Sequence, residues 1–341
     1  MRSGRVVKGF AALRRPPSRA VVTIGVFDGV HRAHQHLVRS AVELAHRLRG
    51  RSVVITFDPD PQTVLDPAHA PPALMPLPER LWHLRTLGAD LVWVIPFTRR
   101  FARMSAARFV RDLLLQRLHA SALIVGERFV FGKGRHGDMD TLQALGPPAG
   151  MRVIPVRDIT VGGQPVSSSR IRRLIARGRL ADAKRLLGRP PALYGLVVRG
   201  SGRGRRLGFP TANIRLDAHA APPTGVYAVL VYRTRGNHRR GVTPPPIRVR
   251  GTRTVVKHHF ASGELIGGGV MNFGSRPTFG PGPLVCEVHL PGFSGTLRGR
   301  RVSVLLLARL RGERRFSSPQ ALIRQIRRDL SHARRLWAAR A

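Results

Sequence analysis

Two histidines with the spacing H-x-x-H, His31 and His34, follow an apolar run and a turn that contains glycine. Glycine lets the backbone adopt a positive φ where a strand stops, and residues 34–48 have the periodicity of an amphipathic helix. A helix N-terminus and two imidazoles at one point suit a bound anion. We therefore expect phosphate binding here, with these residues in the contacting turn: Gly25, Phe27, Asp28 and Gly29.

The histidine pair has two other interpretations on spacing alone. His31 and His34 could form a metal pair, or one of them could simply cap a helix. A strand directly before the pair and a helix directly after it are the surroundings that a phosphate-binding motif needs. We favour phosphate binding for that reason.

Composition restricts the kind of protein. The chain has 341 residues, of which 43% are hydrophobic, so it is long enough for two domains with buried cores. Its apolar runs, such as residues 302–307, are far shorter than the roughly 20 residues that a membrane-spanning helix needs. Residues 1–20 are basic and lack the apolar centre of a secretory signal, although an Arg-rich organellar leader stays open. The single cysteine, Cys286, excludes an intrachain disulfide and favours a reducing cytoplasm.

The net charge of +41 comes from 59 Lys and Arg against 18 Asp and Glu, and it raises the question of nucleic-acid binding. The arginines are spread along the whole chain, and only 6% of residues are aromatic. The sequence therefore lacks the basic patch with interspersed aromatic residues that is typical of a nucleic-acid-binding surface. A general preference for Arg over Lys explains this composition better than a specific nucleic-acid surface. Weak attraction to polyanions would accompany it.

The first half of the chain alternates short apolar runs with helical patterns, which predicts a parallel sheet with helices on its faces. Ligands bind at the carboxyl ends of such strands. We therefore expect the histidine turn and the loop 126–134, which contains Arg128, to line one cleft. The predicted strands are residues 21–25, 52–57, 91–95, 120–125 and 152–156, and the predicted helices are 34–48, 78–87, 105–118 and 138–145.

Residues 167–187 predict a helix or a helix pair that starts at Ser168 or Ser169 as N-cap and breaks at Gly178. The chain then changes character near 187–191, so we divide it into domains 1–187 and 188–341.

Strand-like segments punctuated by Gly and Pro predict a small antiparallel barrel in the second half. A basic, Pro-rich stretch, 234–260, predicts an extended loop or a hairpin excursion. The end of the chain predicts one amphipathic helix, 317–337, capped by Ser317 or Ser318. The predicted strands of this half are residues 193–199, 225–232, 268–272, 284–290 and 302–310.

Ten motifs follow one another along the chain: TIGVFDGVHRAHQ, TFDPDP, VGERFVFGKGRHGD, SSSRIR, LLGRP, GRGRRLGFPTANI, GVYAV, NFGSRPTF, CEVHL and LRGERRFSSPQALIRQIRRD. In these residues and their order, the chain resembles the bacterial bifunctional riboflavin kinase/FMN adenylyltransferases, or prokaryotic FAD synthetases, over essentially its whole length. The resemblance implies a Rossmann-like α/β nucleotidyltransferase domain followed by a β-barrel kinase domain with a C-terminal helix.

For the first domain, the resemblance implies that the phosphate of FMN attacks the α-phosphate of ATP and releases pyrophosphate. Such chemistry depends on positioning and charge neutralisation, so imidazoles, a helix N-terminus and Mg²⁺ suffice. His31 and His34 are then the catalytic contacts to the triphosphate. Further phosphate contacts are implied for Ser168, Ser169 and Arg172, whose alternative roles are an ordinary helix cap and a solvated charge.

For the second domain, the resemblance implies a riboflavin kinase. Thr211 and Asn213 of the PTAN motif offer oxygen ligands of the kind that Mg²⁺ prefers. Glu287 is the candidate base for the ribityl 5′-hydroxyl of riboflavin, and its alternative role is to offset neighbouring arginines. Four glycines let the backbone approach the phosphates of ATP: Gly200, Gly202, Gly204 and Gly208.

The chain departs from the family pattern at several positions. Ala33 replaces a usual Gly between the histidines, Arg128 a usual Asn or Asp, and Arg298 the Tyr of a usual L-Y-G. These departures leave one alternative, a riboflavin kinase with a degenerate, non-catalytic first domain. In both interpretations the partners are riboflavin, FMN and ATP. We expect no membrane and no specific nucleic acid, and self-association stays open.

Overall fold

The computed structural model describes residues 4–13, 16–217, 219–234, 247–248, 255–256, 261–274 and 285–338. They form two compact units. The first comprises described residues up to Pro71 together with Leu77–Ser167, and the second comprises Pro72–Pro76 and the described residues from Ser168 onward. Most of the predicted basic segment 234–260 lies outside the described residues.

The first unit contains a parallel sheet and its helices. Its strands are β1 Arg5–Lys8, β2 Ala20–Ile24, β3 Arg51–Asp58, β4 Leu91–Pro96, β5 Ala120–Gly126 and β6 Arg152–Val156, with a small hairpin of β7 Thr160–Val161 and β8 Gln164–Pro165. Its helices are α1 Arg32–Arg47, α2 Pro61–Leu65, α3 Leu77–Thr86, α4 Arg99–Ala102, α5 Ala106–Arg108, which continues in wide π-type turns over Phe109–Arg117, and α6 Met139–Leu145. Short 3₁₀ turns lie at Pro67–His69, Lys133–Arg135 and Pro147–Ala149.

The six strands pair in the order β1-β4-β3-β2-β5-β6, and every pair is parallel. This confirms the predicted α/β class. The five predicted strands lie within one or two residues of the observed ones, whereas β1 was missed. From β2 the chain adds β3 and β4 on one side and then β5 on the other, so the order reverses between β2 and β5. A crevice opens at such a switch point, at the carboxyl ends of the strands.

The second unit contains strands β9 Ala192–Val198, β10 Thr211–Leu216, β11 Gly225–Arg233, β12 Ile247–Arg248, β13 Val255–Val256, β14 Glu264–Gly274, β15 Val285–His289 and β16 Arg301–Arg311. Its helices are α7 Ser168–Ala176, α8 Leu180–Leu187, α9 Arg203–Arg206 and α10 Pro319–Ala338. The short strands β12 and β13 pair antiparallel, which fits the predicted hairpin excursion.

Six strands close the predicted barrel in the order β10-β15-β14-β11-β16-β9. Alternate residues point inward, so Tyr227, Met271 and Cys286 belong to the interior cluster. The residues between them point outward, and part of this outer face packs against Leu330 and Trp337 of α10. The barrel therefore has two apolar surfaces, its interior and the face beneath α10.

The helix pair predicted over 167–187 is confirmed as α7 and α8, with Gly178 (φ +69°) between them. The predicted cap is one residue off: Ser168 is already helical, so the cap position falls on Ser167. Leu180 packs in the interior cluster of the barrel, which is why both helices belong to the second unit.

Ser318 caps α10 as predicted, because its Oγ accepts a hydrogen bond from the Ala321 amide at 3.2 Å. In the described part of the chain, no helix is both long and apolar enough to cross a membrane.

The thiol of Cys286 faces the barrel interior and is 3% exposed. Burial raises its pKa to about 12, with a smaller contribution from Glu287. We expect no alkylation by iodoacetamide in the native chain at pH 8, since the reactive thiolate is not formed there. Mass spectrometry should show full alkylation only after denaturation in urea, and rapid labelling of the native chain would contradict the observed burial.

Candidate active sites

The turn after β2 has an unusual backbone. Phe27 (φ +56°), Gly29 (φ +80°) and Val30 (φ +36°) all have positive φ. Only glycine adopts this conformation without strain, so a phenylalanine and a β-branched valine there indicate a backbone held by its surroundings. Gly25 does not have the positive φ expected for it. Its lack of a Cβ instead leaves room for the Phe27 ring, which a Cβ would meet at 3.3 Å.

The predicted histidine pair lies at the start of α1, which begins two residues earlier than expected. His31 is the N-cap, and its Nδ1 accepts a hydrogen bond from the His34 amide at 3.4 Å. An accepting Nδ1 corresponds to the neutral tautomer of the ring that carries its proton on Nε2. The two imidazoles stack with their centroids 3.5 Å apart. The pair thus forms one platform at a helix N-terminus.

The loop 126–134 follows β5, the strand that pairs with β2, so it lies at the same carboxyl edge as the histidine turn. This confirms that both segments belong to one edge. Arg128, a predicted phosphate contact, forms an ion pair with Asp158 and is largely exposed. Its contact with phosphate stays a prediction.

Half-buried phenylalanines surround the ends of the neighbouring strands. Phe57 lies on β3, Phe97 follows β4, and their rings meet edge to face with centroids 5.7 Å apart. Phe101 contacts both. Phe129, in the loop after β5, stacks on Phe131 with an interplanar angle of 11°. Such an aromatic edge suits a flat, apolar ring system.

Ser168, Ser169 and Arg172 lie on the first turns of α7, in the second unit. Arg172 Nε donates a hydrogen bond to the Pro72 carbonyl at 2.7 Å. The contacts that the sequence predicts from these residues to a triphosphate stay predictions.

In the second unit, Asn213 and Glu287 are directly opposite each other on the paired strands β10 and β15. Glu287 is also opposite Asn272 of β14. Directly opposite residues share a face with their Cβ atoms about 5 Å apart. The predicted metal ligand and the predicted base are thus neighbours. They point away from the barrel interior, since Cys286 and Val288 on either side of Glu287 point into it.

The glycine-rich segment packs against the PTAN residues. A Cβ on Gly200 would lie 2.0 Å from Nδ2 of Asn213, and one on Gly204 would lie 2.4 Å from the Phe209 carbonyl. Gly202 (φ +72°) and Gly208 (φ +81°) adopt positive φ on either side of α9. Each of the four glycines therefore serves either a close approach to other protein atoms or a positive φ, and their contact with the phosphates of ATP stays a prediction.

Two cavities adjoin these residues. The larger, of about 710 Å³, contacts the glycine-rich segment, Thr211 and Asn213 and has Arg199, Arg205 and Arg298 in its lining. The smaller, of about 190 Å³, contacts Glu287 and residues near the start of α10. Thr211 lines both, so it lies at the boundary between the two cavities.

Sequence reasoning assigned no role to several residues of the smaller cavity. The quoted motifs NFGSRPTF, CEVHL and LRGERRFSSPQALIRQIRRD were the available signal, because they contain five of these residues: Asn272, His289, Arg311, Glu313 and Asp329. Arg311 Nε donates to the Asp329 carboxylate at 3.0 Å, and Gln325 Nε2 donates to it at 2.8 Å. This ion pair joins the end of β16 to α10.

Comparison with known proteins gives the family of each half. The FAD synthetase family matches residues 13–170, and the riboflavin kinase family matches residues 187–337. The chain belongs to the bifunctional riboflavin kinase/FMN adenylyltransferase family. Its members include proteins of that name from Escherichia coli strain K12, 36% identical over 98% of both chains, and from Pseudomonas fluorescens, 36% identical over 99% of both.

Both halves of this bifunctional family are therefore present, which favours the bifunctional interpretation over the degenerate-domain alternative. The fold is also that of a crystal structure from Streptococcus pneumoniae described as a macrolide-efflux protein. That structure has a TM-score of 0.77 and 27% identity, and the match covers 96% of this chain and 98% of the other.

The Arg311–Asp329 ion pair yields a stability prediction. Asp329 is 5% exposed, so Asp329→Ala leaves the Arg311 guanidinium beneath α10 without its carboxylate. We expect a loss of about 3 kcal/mol in the free energy of unfolding of the second unit. Urea titration of the full chain measures it.

Asp66→Ala is the control, because it removes an exposed contact with the ring of His69. Its unfolding midpoint should equal that of the wild type. An equal midpoint for Asp329→Ala would show that the ion pair does not anchor the helix.

Proposed function

We propose that the second unit phosphorylates riboflavin to FMN and that the first adenylylates FMN to FAD, each with ATP. One observation carries the proposal: Asn213 and Glu287 are opposite each other at the junction of two cavities. A phosphate-holding group next to a proton acceptor is what phosphoryl transfer to an alcohol requires. The membership of the family supports both activities.

In the kinase reaction, the larger cavity accommodates ATP, because its glycine-rich wall admits phosphate and its arginines offset negative charge. The smaller cavity accommodates riboflavin. Glu287 accepts the proton of the ribityl 5′-hydroxyl as the oxygen attacks the γ-phosphate, and ADP leaves. Thr211, at the boundary, lies where the two substrates meet.

The residues present fit Mg²⁺ at the kinase site. The Thr211 hydroxyl and the Asn213 amide would supply oxygen ligands, and both residues line the larger cavity. When bound, Mg²⁺ would neutralise the charge of the ATP phosphates. His, Cys, Asp and Glu do not form any group of three or more able to hold a metal among the described residues, so the proposal rests on these oxygen atoms.

In the adenylyltransferase reaction, the histidine turn binds the triphosphate of ATP. His31 donates from Nε2, and the N-terminus of α1 adds its positive end. A phosphate oxygen of FMN attacks the α-phosphorus, and the bond to the pyrophosphate breaks. The phenylalanines at the carboxyl edge of the sheet, Phe57 among them, provide a surface for the isoalloxazine ring.

The functional division of the chain follows the predicted domains, 1–187 for adenylyl transfer and 188–341 for phosphorylation. This division places α7 with the chemistry of the first domain, although it packs in the second unit. The cytoplasmic location is likewise part of the proposal, supported by the single cysteine.

An assay that separates FMN from FAD tests both activities in one reaction. Wild-type chain with riboflavin, ATP and Mg²⁺ should form FMN first and then FAD. Glu287→Gln keeps the shape of the side chain but removes the proton acceptor, so FMN formation should fall about 10²–10⁴-fold. FAD formation from supplied FMN should be unchanged. Loss of both activities in this variant would argue against separate sites, and FMN without FAD from the wild type would refute adenylyl transfer.

Gly200 yields a second prediction about the kinase. In Gly200→Ala the new methyl group would collide with the Asn213 amide, so the KM for ATP in riboflavin phosphorylation should rise by about 10-fold or more. Gly267→Ala is the control, because a Cβ at Gly267 meets nothing within 4 Å. Equal KM values for the two variants would contradict the role of the close contact.

A further inference from the structure

Arg80, on α3, is a buried cation that neither proposed reaction uses. The residue is 6% exposed, and arginine is almost never buried to this extent unless its charge is paired. Three carboxylates, Asp28, Asp60 and Asp58, attract its charge. Burial lowers the pKa of Arg80, and these carboxylates act in the opposite direction. An arginine guanidinium is not deprotonated in proteins, so Arg80 is a charged donor inside the unit.

The hydrogen bonds of Arg80 lead to the phosphate-binding turn. Its Nη1 donates to the Val26 carbonyl at 2.6 Å. Thr56 Oγ1, at the end of β3, donates to the same carbonyl at 3.0 Å and lies 3.5 Å from Nη1. A charged donor makes the stronger kind of hydrogen bond. Two donors from two elements thus converge on one oxygen.

The position of that oxygen matters because the peptide group is planar. Fixing the Val26 carbonyl also fixes the amide of Phe27, which points the opposite way in the same plane. Phe27 is the first residue of the turn with positive φ. Residues held in such conformations cost about 1–3 kcal/mol each and persist only where their surroundings over-determine them. The contact from Arg80 acts directly before the strained residues.

The far end of the turn is held by α1 itself. Gln35 Nε2 donates to the Val30 carbonyl at 2.9 Å, and the Phe27 carbonyl accepts from the Val30 amide at 3.1 Å. Arg80 reaches the near end from a different helix, α3. The turn is thus held at both ends, and the hydrogen bond from Arg80 comes from a charged donor.

We propose that Arg80 is a positioning residue for adenylyl transfer, holding the turn 25–31 in the strained shape that binds the triphosphate. The proposal rests on the proposed adenylyltransferase function of the first unit. Arg80 acts through the Val26 carbonyl and need not touch ATP.

The test compares Arg80→Met, Arg80→Lys and Arg51→Met in the full chain. Arg80→Met removes the donor, so the KM for ATP in FMN adenylylation should rise by about 10-fold or more. Lysine can still donate to one carbonyl, and Arg80→Lys should restore the KM to within about 3-fold of the wild type. Arg51→Met removes an equal charge from the exposed ion pair with Asp90 and should leave the KM unchanged.

Riboflavin phosphorylation by the same molecules is the internal control and should keep its kcat and KM in all three variants. A purely structural role for Arg80 would reduce the folded fraction, lowering kcat for adenylylation at unchanged KM. Hydrogen exchange reports on the turn without any activity: amides in 25–35 should exchange about 10-fold faster in Arg80→Met only.

The outcomes separate the two proposals. A wild type that makes no FAD refutes the proposed adenylyltransferase. Hydrogen exchange of the amides in 25–35 would still test whether Arg80 holds the turn. An Arg80→Met variant with wild-type exchange in 25–35, or with an unchanged KM for ATP beside an active wild type, overturns the role of Arg80.

Discussion

Main-chain hydrogen bonding between strands is the constraint on which both candidate sites depend. In the barrel, the register of β10 against β15 places Asn213 opposite Glu287. Side chains alternate between faces along a strand, so a slip of one residue would send one of the two into the interior and leave the other outside. The closed ring of six strands prevents that slip, because each strand is paired on both sides. The proximity of the proposed base, Glu287, and the proposed metal ligand, Asn213, is therefore fixed by the pairing of the backbone.

The first unit uses strand pairing in another way. Its parallel strands all end at one edge, and the reversal of order between β2 and β5 opens the crevice into which the histidine turn projects. The turn then departs from regular structure, with Phe27 and Val30 at positive φ. The sheet supports this turn, because Thr56 on the neighbouring strand donates a hydrogen bond to the Val26 carbonyl, directly before Phe27. The strained turn therefore begins from a backbone position that the sheet fixes.

Much of this arrangement could be predicted from sequence, and the omissions have physical causes. Buried runs such as β4 reveal themselves because every residue is apolar, whereas β1 is short and carries charge at both ends. Strand β10 has no counterpart among the predicted strands, because it begins at Thr211 directly after a proline and a glycine-rich segment. Alternation along a strand shows that Glu287 and its two neighbours lie on opposite faces. It does not show which of the two faces points into the barrel. The role of Arg80 depends on a contact between residues 54 positions apart, which no local pattern encodes.

The proposed kinase residues, Asn213 and Glu287, lie on the outer face of the barrel, whereas other side chains of the same strands fill its interior. The requirements of catalysis and of folding therefore act on different faces of these strands. Tyr227 and Met271 pack in the interior and line neither cavity, whereas Val288 and Leu290 of the same interior cluster also line the larger cavity. Substitutions that conserve volume are therefore best tolerated at the first two positions, where they leave both cavities unchanged. In an enzyme whose catalytic residues point into the barrel interior, a substitution in the core would also change the active site. Conservative changes at Tyr227 and Met271 can therefore alter the thermal stability of the barrel while the cavities beside β10 and β15 keep their linings.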